Sequence, residues 1–142
     1  MQVKITKMEP DVEMPVYATE GAACFDIFGY RVKEVGESTT TFSTGLKFEV
    51  PANHVLLIFS RSGHGFNKDI RLSNCVGVID ADYRGELMVK LRADNVCDDT
   101  VDIKAGDRIA QGMIMPIERV GFEVVDELGS TERGENGFGS TN

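Results

Sequence analysis

Two carboxylates separated by one residue follow a short apolar run in the stretch GVIDADYRG (77–85). Asp80 and Asp82 lie on one face of an extended chain, because successive side chains of a strand alternate between faces. Such a pair suits a general base or a cation site, and an ordinary Asp-rich turn is the competing interpretation. Tyr83 offers a flat ring for a sugar or a base, or for packing at a strand end.

The stretch SRSGHGF (60–66) carries the opposite chemistry. Arg61 supplies a forked cation, Ser62 a hydroxyl, and the chain around Gly63 exposes backbone N–H groups, which are the donors that a phosphate group requires. No lysine follows the glycines, so the stretch is not a Walker loop, and a plain polar loop is the alternative. Ser62 and His64 are too close in sequence to form a nucleophile and its base readily.

Two further polar residues interrupt apolar runs. Asp26 in AACFDIF (22–28) must be paired, bound to a ligand or exposed at an edge, since an isolated buried charge is costly. Gln111 in the otherwise apolar run RIAQGMIMP either contacts a ligand or faces solvent.

The chain ends on RGENGFGSTN (133–142), in which three glycines accompany one arginine and one phenylalanine. This stretch cannot form a helix or bury a core, and a disordered terminus is the simple interpretation. Taken together, an anion-binding loop, an acidic cation site, an aromatic wall and a mobile arm suit the hydrolysis of a nucleoside polyphosphate. Composition does not say which nucleotide.

Short apolar runs closed by turn residues, with almost no helical periodicity, predict the elements that position these residues. The loop ADYRG reads as a hairpin connection. No clear helix is predicted, and the stretch near RLSN (71–74) is the one candidate for a short helix. We therefore predict an all-β, jelly-roll-like sandwich or barrel over 1–128 with a flexible C-terminal arm over 129–142. The predicted strands include 44–50, 54–60, 74–80, 86–93 and 108–116.

Length, charge and cysteine content limit the class of protein. A chain of 142 residues predicts one domain, and a net charge of −8 without a basic run argues against binding a nucleic-acid backbone. Cys24, Cys75 and Cys97 fit free thiols in a reducing cytosol, and two histidines argue against a zinc site. We find no signal-peptide pattern and no apolar stretch of roughly 20 residues. We therefore expect a cytoplasmic protein, in the host cytoplasm if viral, with no nucleic-acid or membrane partner.

Five motifs occur in order along nearly the whole chain: AACFDIF, SRSG, GVIDADYRG, GDRIAQ and RGENGFGST. By these motifs the chain resembles the homotrimeric all-β dUTPases, the dUTP nucleotidohydrolases. The resemblance implies a jelly-roll trimer with three active sites at subunit interfaces, over which the C-terminal arm of a neighbour closes. It also implies hydrolysis of dUTP to dUMP and pyrophosphate, which limits uracil incorporation into DNA and supplies dUMP for thymidylate synthesis.

The resemblance assigns the reacting groups. Asp80 matches the general base that orients a water for attack on the α-phosphorus. Arg133 matches an arginine that approaches the γ-phosphate in the manner of an arginine finger. Asp26 matches the acidic residue that holds the Mg²⁺ complex through metal-bound water.

The resemblance also assigns the substrate contacts. Asn74 would read uracil with its amide, helped by backbone groups of Val78 and Ile79, while Tyr83 packs against deoxyribose and leaves no room for a 2′-hydroxyl. Met88 would line the same region. The remaining contacts would be made to phosphate by Arg61, Ser62, Gly63, Gly139 and Ser140, to phosphate or a neighbouring subunit by Gln111, and to the uracil ring by Phe138.

Three positions depart from the usual motifs: Cys24 and Asn136 replace glycines, and Ser60 stands where proline is frequent. Two alternatives remain open. The related dCTP deaminases share the fold, although the segment Asp80-x-Asp82-Tyr83 has the dUTPase form. A regulatory, nucleotide-dependent binding module is the other alternative, and no extra domain or long insertion supports it.

Overall fold

A computed structural model describes residues 1–94 and 102–137 of the chain. The described residues form nine strands and one short helix. In chain order the elements are β1 (Lys4–Lys7), β2 (Phe25–Phe28), β3 (Arg31–Val35), β4 (Thr39–Glu49), β5 (His54–Phe59), α1 (Ser62–Lys68), β6 (Ile70–Leu72), β7 (Gly77–Ile79), β8 (Glu86–Ala93) and β9 (Arg108–Pro116).

The strands form two sheets that enclose one apolar core. One sheet has the order β1-β4-β8-β6, with β3 also paired to β4, and the other has the order β2-β9-β5-β7. Every strand pairing in them is antiparallel. The largest fully buried side chains, Phe42, Ile27, Leu46, Leu56 and Leu91 among them, come from both sheets. The all-β, jelly-roll-like prediction is therefore confirmed.

Alternation along the strands explains why this sequence closes into a sandwich. In β8, Leu87, Val89 and Leu91 are buried while Met88 and Lys90 are exposed. Burying each such apolar side chain contributes roughly 1.5–3 kcal/mol relative to exposure. A shift of one residue in register would reverse both faces, so the pattern sets the pairing as well as the fold.

The predicted hairpin between β7 and β8 is wrong. β7 pairs with β5 in one sheet, whereas β8 pairs with β4 and β6 in the other. Residues 80–85 therefore cross from one sheet to the other. Two strands joined by a short loop look alike in sequence whether they pair with each other or arch over a core, so spacing could not distinguish the two.

The helix expected near RLSN is also wrong, because Ile70–Leu72 forms β6 and a turn follows it. The helix lies earlier, at Ser62–Lys68, and it ends at Asp69, whose φ of 51° is left-handed. Two glycines, Gly63 and Gly65, obscured it, since each glycine in a helix costs about 1 kcal/mol relative to alanine.

After β9 the described chain, residues 117–137, contains no helix or strand and is almost entirely exposed. Its apolar side chains share that exposure, including Phe122 at 96% and Val124 at 99%. The arm predicted over 129–142 lies partly outside the described residues, and its boundary stays a prediction. No helix in the described part of the chain is long and apolar enough to cross a membrane.

Candidate active site

The first half of the candidate site lies where β2, β9 and β5 are adjacent. Asp26 of β2 is the Cα partner of Gln111, which on its other side is the partner of Phe59 at the end of β5. Arg61 follows two residues later. The sheet therefore gathers three of the sequence-predicted residues, Asp26, Arg61 and Gln111, at one place.

Asp26 is buried and is held by two arginines. Its side chain is only 11% exposed, and Arg61 Nε donates to its Oδ1 at 3.2 Å while Arg108 Nη1 donates to its Oδ2 at 3.1 Å. A buried carboxylate requires such partners. Because two guanidinium groups face one carboxylate, the cluster keeps a surplus positive charge, which suits a polyphosphate ligand.

Gln111 positions the loop that carries Arg61. Its Nε2 donates to the backbone oxygen of Ser60 at 2.9 Å. The Ser60 hydroxyl in turn accepts a hydrogen bond from the backbone N–H of Leu72 at 2.9 Å. These two bonds tie the end of β5 to β9 and to β6, so the polar residue in an apolar strand has a positioning role in this chain.

Ser62 and Gly63 open the helix α1 directly after Arg61. Both are exposed, and no side chain caps the helix start, which leaves first-turn N–H groups for an outside acceptor. His64 follows, and burial, reinforced by the nearby Arg61 and Lys68 cations, lowers its pKa. The histidine is therefore neutral near pH 7 and adds no third cation.

The second half of the candidate site is a cavity between β7 and β8. A cavity of about 370 Å³ is lined by Asn74, Val78, Ile79 and Met88 among others. β7 is the edge strand of its sheet, so alternate backbone groups along it face away from β5. The crossing of residues 80–85 from one sheet to the other thus leaves a space in which side chains and backbone groups can both contact a flat ligand.

Asp80 stands at an adjoining cavity of about 300 Å³, together with Tyr83, Glu86 and Met88. Tyr83 donates its hydroxyl proton to the backbone oxygen of Glu86 at 3.0 Å. Its ring also covers Gly85 so closely that a Cβ there would lie 2.5 Å from the Tyr83 Cζ. The carboxylate and the aromatic ring therefore share one wall, and Gly85 is required for the ring to lie there.

The two halves of the site are far apart on one chain. Asp80 follows Ile79, which pairs with Leu56 near the start of β5, whereas Arg61 follows the other end of β5. By this register Asp80 is level with Val55, which lies six positions before Arg61, or about 20 Å of extended chain. One protomer therefore does not bring its own Asp80 to its own Arg61.

The described part of the C-terminal segment forms a turn of its own. Arg133 Nε donates to the backbone oxygen of Asn136 at 2.8 Å, and Gly134 N–H donates to the Thr131 hydroxyl at 3.0 Å. Phe138, Gly139 and Ser140 lie outside the described residues. Their assignments stay predictions.

Sequence reasoning missed two residues of the site. Arg108 was quoted within GDRIAQ without a role, although it pairs with Asp26 across 82 positions of the chain. Gly85 was treated as a turn residue, although its missing Cβ makes room for Tyr83. The signal that could have identified Arg108 was the charge of Asp26 inside an apolar run, since a buried carboxylate needs a cation partner.

The described residues do not form a cage for a bare metal ion, because they contain no group of three or more His, Cys, Asp or Glu side chains that could hold one. Each oxygen of Asp26 accepts one bond from an arginine and keeps further acceptor capacity. This donor set fits an outer position, in which Asp26 accepts from water on a cation that a polyphosphate carries.

Comparison with known proteins shows which family the chain matches. The family model described as dUTPase matches residues 10–142. The deoxyuridine 5′-triphosphate nucleotidohydrolase of Nautilia profundicola is 39% identical, covering 99% of each chain, and that of Fusobacterium nucleatum is 38% identical, covering 99% of this chain and 97% of the relative.

A solved structure of a dUTPase also resembles this chain in fold. The dUTPase of Staphylococcus bacteriophage 80alpha with dUPNHPP superimposes with a TM-score of 0.81 at 25% identity, covering 99% of this chain and 98% of the phage chain. One family thus matches both the sequence and the fold of this chain. The chain described here belongs to the dUTPase family.

Proposed function

We propose that this protein hydrolyses dUTP to dUMP and pyrophosphate, and thereby limits uracil incorporation into DNA and supplies dUMP for thymidylate synthesis. The observation that carries the proposal is the position of Asp80 and Tyr83 on one wall beside the cavity that Asn74 lines. In this arrangement a carboxylate lies beside the cavity that we propose for the base. Relatives at 38–39% identity carry the name of this activity.

In the proposed reaction Asp80 orients a water and takes its proton as the water attacks the α-phosphorus, with pyrophosphate leaving in line. The Asn74 amide donates to O4 of uracil and accepts from N3–H, a pattern that cytosine reverses. Backbone groups of Val78 and Ile79 complete the base contacts, with Met88 beside them. Arg61, Ser62 and Gly63 bind the phosphates, and Gln111 serves them by holding the loop that carries Arg61.

Mg²⁺ is the proposed cofactor, with Asp26 as its contact through water. When bound, the ion neutralises charge on the triphosphate and fixes its conformation. Arg61 and Arg108 hold Asp26 in place. They also add local positive charge for the triphosphate in a chain whose net charge is −8.

We propose a homotrimer in which each site takes residues from more than one subunit. The separation of about 20 Å between Asp80 and Arg61 along β5 supports this, because a complete site then needs the Arg61 end of another copy. The exposed apolar residues of 117–128 support it too, since such surface normally marks an interface. Arg133, Phe138, Gly139 and Ser140 would then close over the nucleotide from a neighbour.

The activity is tested by pyrophosphate release from dUTP, UTP and dTTP in the presence of Mg²⁺. We expect kcat/KM for dUTP to exceed the other two at least about a hundredfold, because a mismatched hydroxyl or methyl leaves the cavity's polar groups unpaired or clashes. Equal turnover of the three nucleotides would contradict the proposal. Ammonia release from dCTP, which we expect to be absent, separates the protein from the dCTP deaminases.

The Gly85→Ala variant tests the wall of the site. An added Cβ would lie 2.5 Å from the Tyr83 Cζ, so the ring must move. We expect kcat/KM for dUTP to fall about tenfold and the preference for dUTP over UTP to shrink by a similar factor. Steady-state kinetics on both nucleotides measure this. A variant that keeps full discrimination would show that the ring position does not exclude the 2′-hydroxyl.

A further inference from the structure

The turn that carries Asn74 also carries a serine that has no assigned role. The N–H of Cys75 donates to the backbone oxygen of Leu72 at 3.2 Å, which makes Ser73 and Asn74 the two central residues of the turn. The N–H of Ser73 donates to the Lys90 oxygen at 2.9 Å, one residue beyond the last pair of the β6–β8 ladder. The backbone of Ser73 is thus fixed, and the residue lines the 370 Å³ cavity beside Asn74.

The Ser73 hydroxyl is buried and has no hydrogen-bond partner in the described part of the chain. Other hydroxyls inside the sandwich are paired: Ser60 Oγ accepts from Leu72 N–H, and Thr44 Oγ1 donates to the Leu87 oxygen. Because a buried hydroxyl without a partner is unfavourable, an unpaired one on the wall of a cavity indicates a partner that arrives with the ligand.

A serine hydroxyl reaches a new direction by one rotation about χ1 between staggered positions. In the proposed dUTP complex the single amide of Asn74 serves O4 and N3–H, and the base has a second carbonyl oxygen to satisfy. We propose that Ser73 is a further base-binding residue, whose hydroxyl donates to a carbonyl oxygen of the pyrimidine, directly or through one water. The inference rests on the proposed function.

The Ser73→Ala variant separates this role from a structural one, because the two roles predict opposite effects. We expect its affinity for α,β-imido-dUTP, measured by calorimetry, to fall about 5–10-fold, as for the loss of one hydrogen bond. The KM for dUTP should rise by the same factor, with kcat within about twofold. The melting temperature without nucleotide should stay the same or rise, because alanine removes an unpaired buried hydroxyl.

Three controls complete the test. Ser73→Thr keeps the hydroxyl and should bind the analogue within about twofold of wild type. Inorganic triphosphate, which lacks a base, should inhibit wild type and Ser73→Ala equally. Ser38→Ala, directly before β4 and not among the residues that line either cavity, should change neither binding nor kinetics.

The proposal is overturned if Ser73→Ala binds the analogue as tightly as wild type, or if Ser73→Thr is as weak as Ser73→Ala. It is also overturned if Ser73→Ala loses affinity for triphosphate to the same degree, or melts well below wild type, since both results describe a structural role. If the wild-type protein releases no pyrophosphate from dUTP, the proposed function is contradicted instead. That result does not depend on the comparison of the Ser73 variants with wild type.

Discussion

The Asp80→Asn variant is expected to turn over dUTP about a thousandfold more slowly than wild type while binding the nucleotide within a few-fold. An amide keeps the shape and the exposed position of Asp80 at the end of β7, yet it cannot take a proton from the attacking water. General-base catalysis contributes about 10²–10⁴-fold, which sets the size of the effect. Single-turnover pyrophosphate release measures the rate, and calorimetry with α,β-imido-dUTP measures binding.

The neighbouring carboxylate provides a matched comparison. Asp82 has the same charge and exposure but is not among the residues that line the cavity of Asp80 and Tyr83. Asp82→Asn should therefore reduce turnover far less. If instead Asp82→Asn abolished turnover and Asp80→Asn preserved it, the assignment of the base within the pair would be reversed.

The second large effect is a recovery of activity when two inactive chains are combined. Asp80→Asn lacks the base, and Arg61→Gln lacks the guanidinium that faces Asp26. If Asp80 and Arg61 of one site belong to different subunits, a mixed trimer contains sites built from the two intact halves. In a closed three-fold ring each mixed trimer then has one complete site of three, or about one third of wild-type activity, which is about one quarter when averaged over all randomly mixed trimers.

Co-expression with two different affinity tags isolates the mixed trimers, and pyrophosphate release from dUTP measures their activity. Each variant carried on both tags serves as the control and should stay inactive. Mixed trimers without activity would mean that one chain supplies both groups. An active monomer, detected by solution mass measurement, would contradict subunit sharing altogether.

Much of the sandwich could be predicted from the sequence, because strand alternation is a local property. β9 begins and ends where expected, at Arg108 and Pro116, and β8 likewise runs from Glu86 to Ala93. The partners of each strand are not local. Nothing in the stretch GVIDADYRG shows that β7 pairs with β5 rather than with β8, and the cavity between β7 and β8 exists because of that choice.

The candidate site likewise has a part that the sequence could predict and a part that it could not. Residue types and spacing were enough to nominate Asp80 and Tyr83, since each brings a distinct chemistry, whereas Asn74 was nominated only through the family resemblance. The pairing of Arg108 with Asp26 spans 82 positions and required the β2–β9 register. That the Ser73 hydroxyl has no partner among the described residues could be found only once the positions of its neighbours were known.

The exposed stretch that follows β9 contributes no strand to either sheet as far as residue 137, yet it carries Arg133, for which we propose a role in the reaction. An irregular, solvent-exposed segment is where proteases cut first, and residues 117–137 have this character throughout. Cleavage between residues 117 and 133 leaves both sheets and Asp80 intact but detaches Arg133 and everything after it. A preparation trimmed in this way would give an unchanged β-sheet circular dichroism spectrum, so the intact mass of the purified chain has to accompany every measured rate.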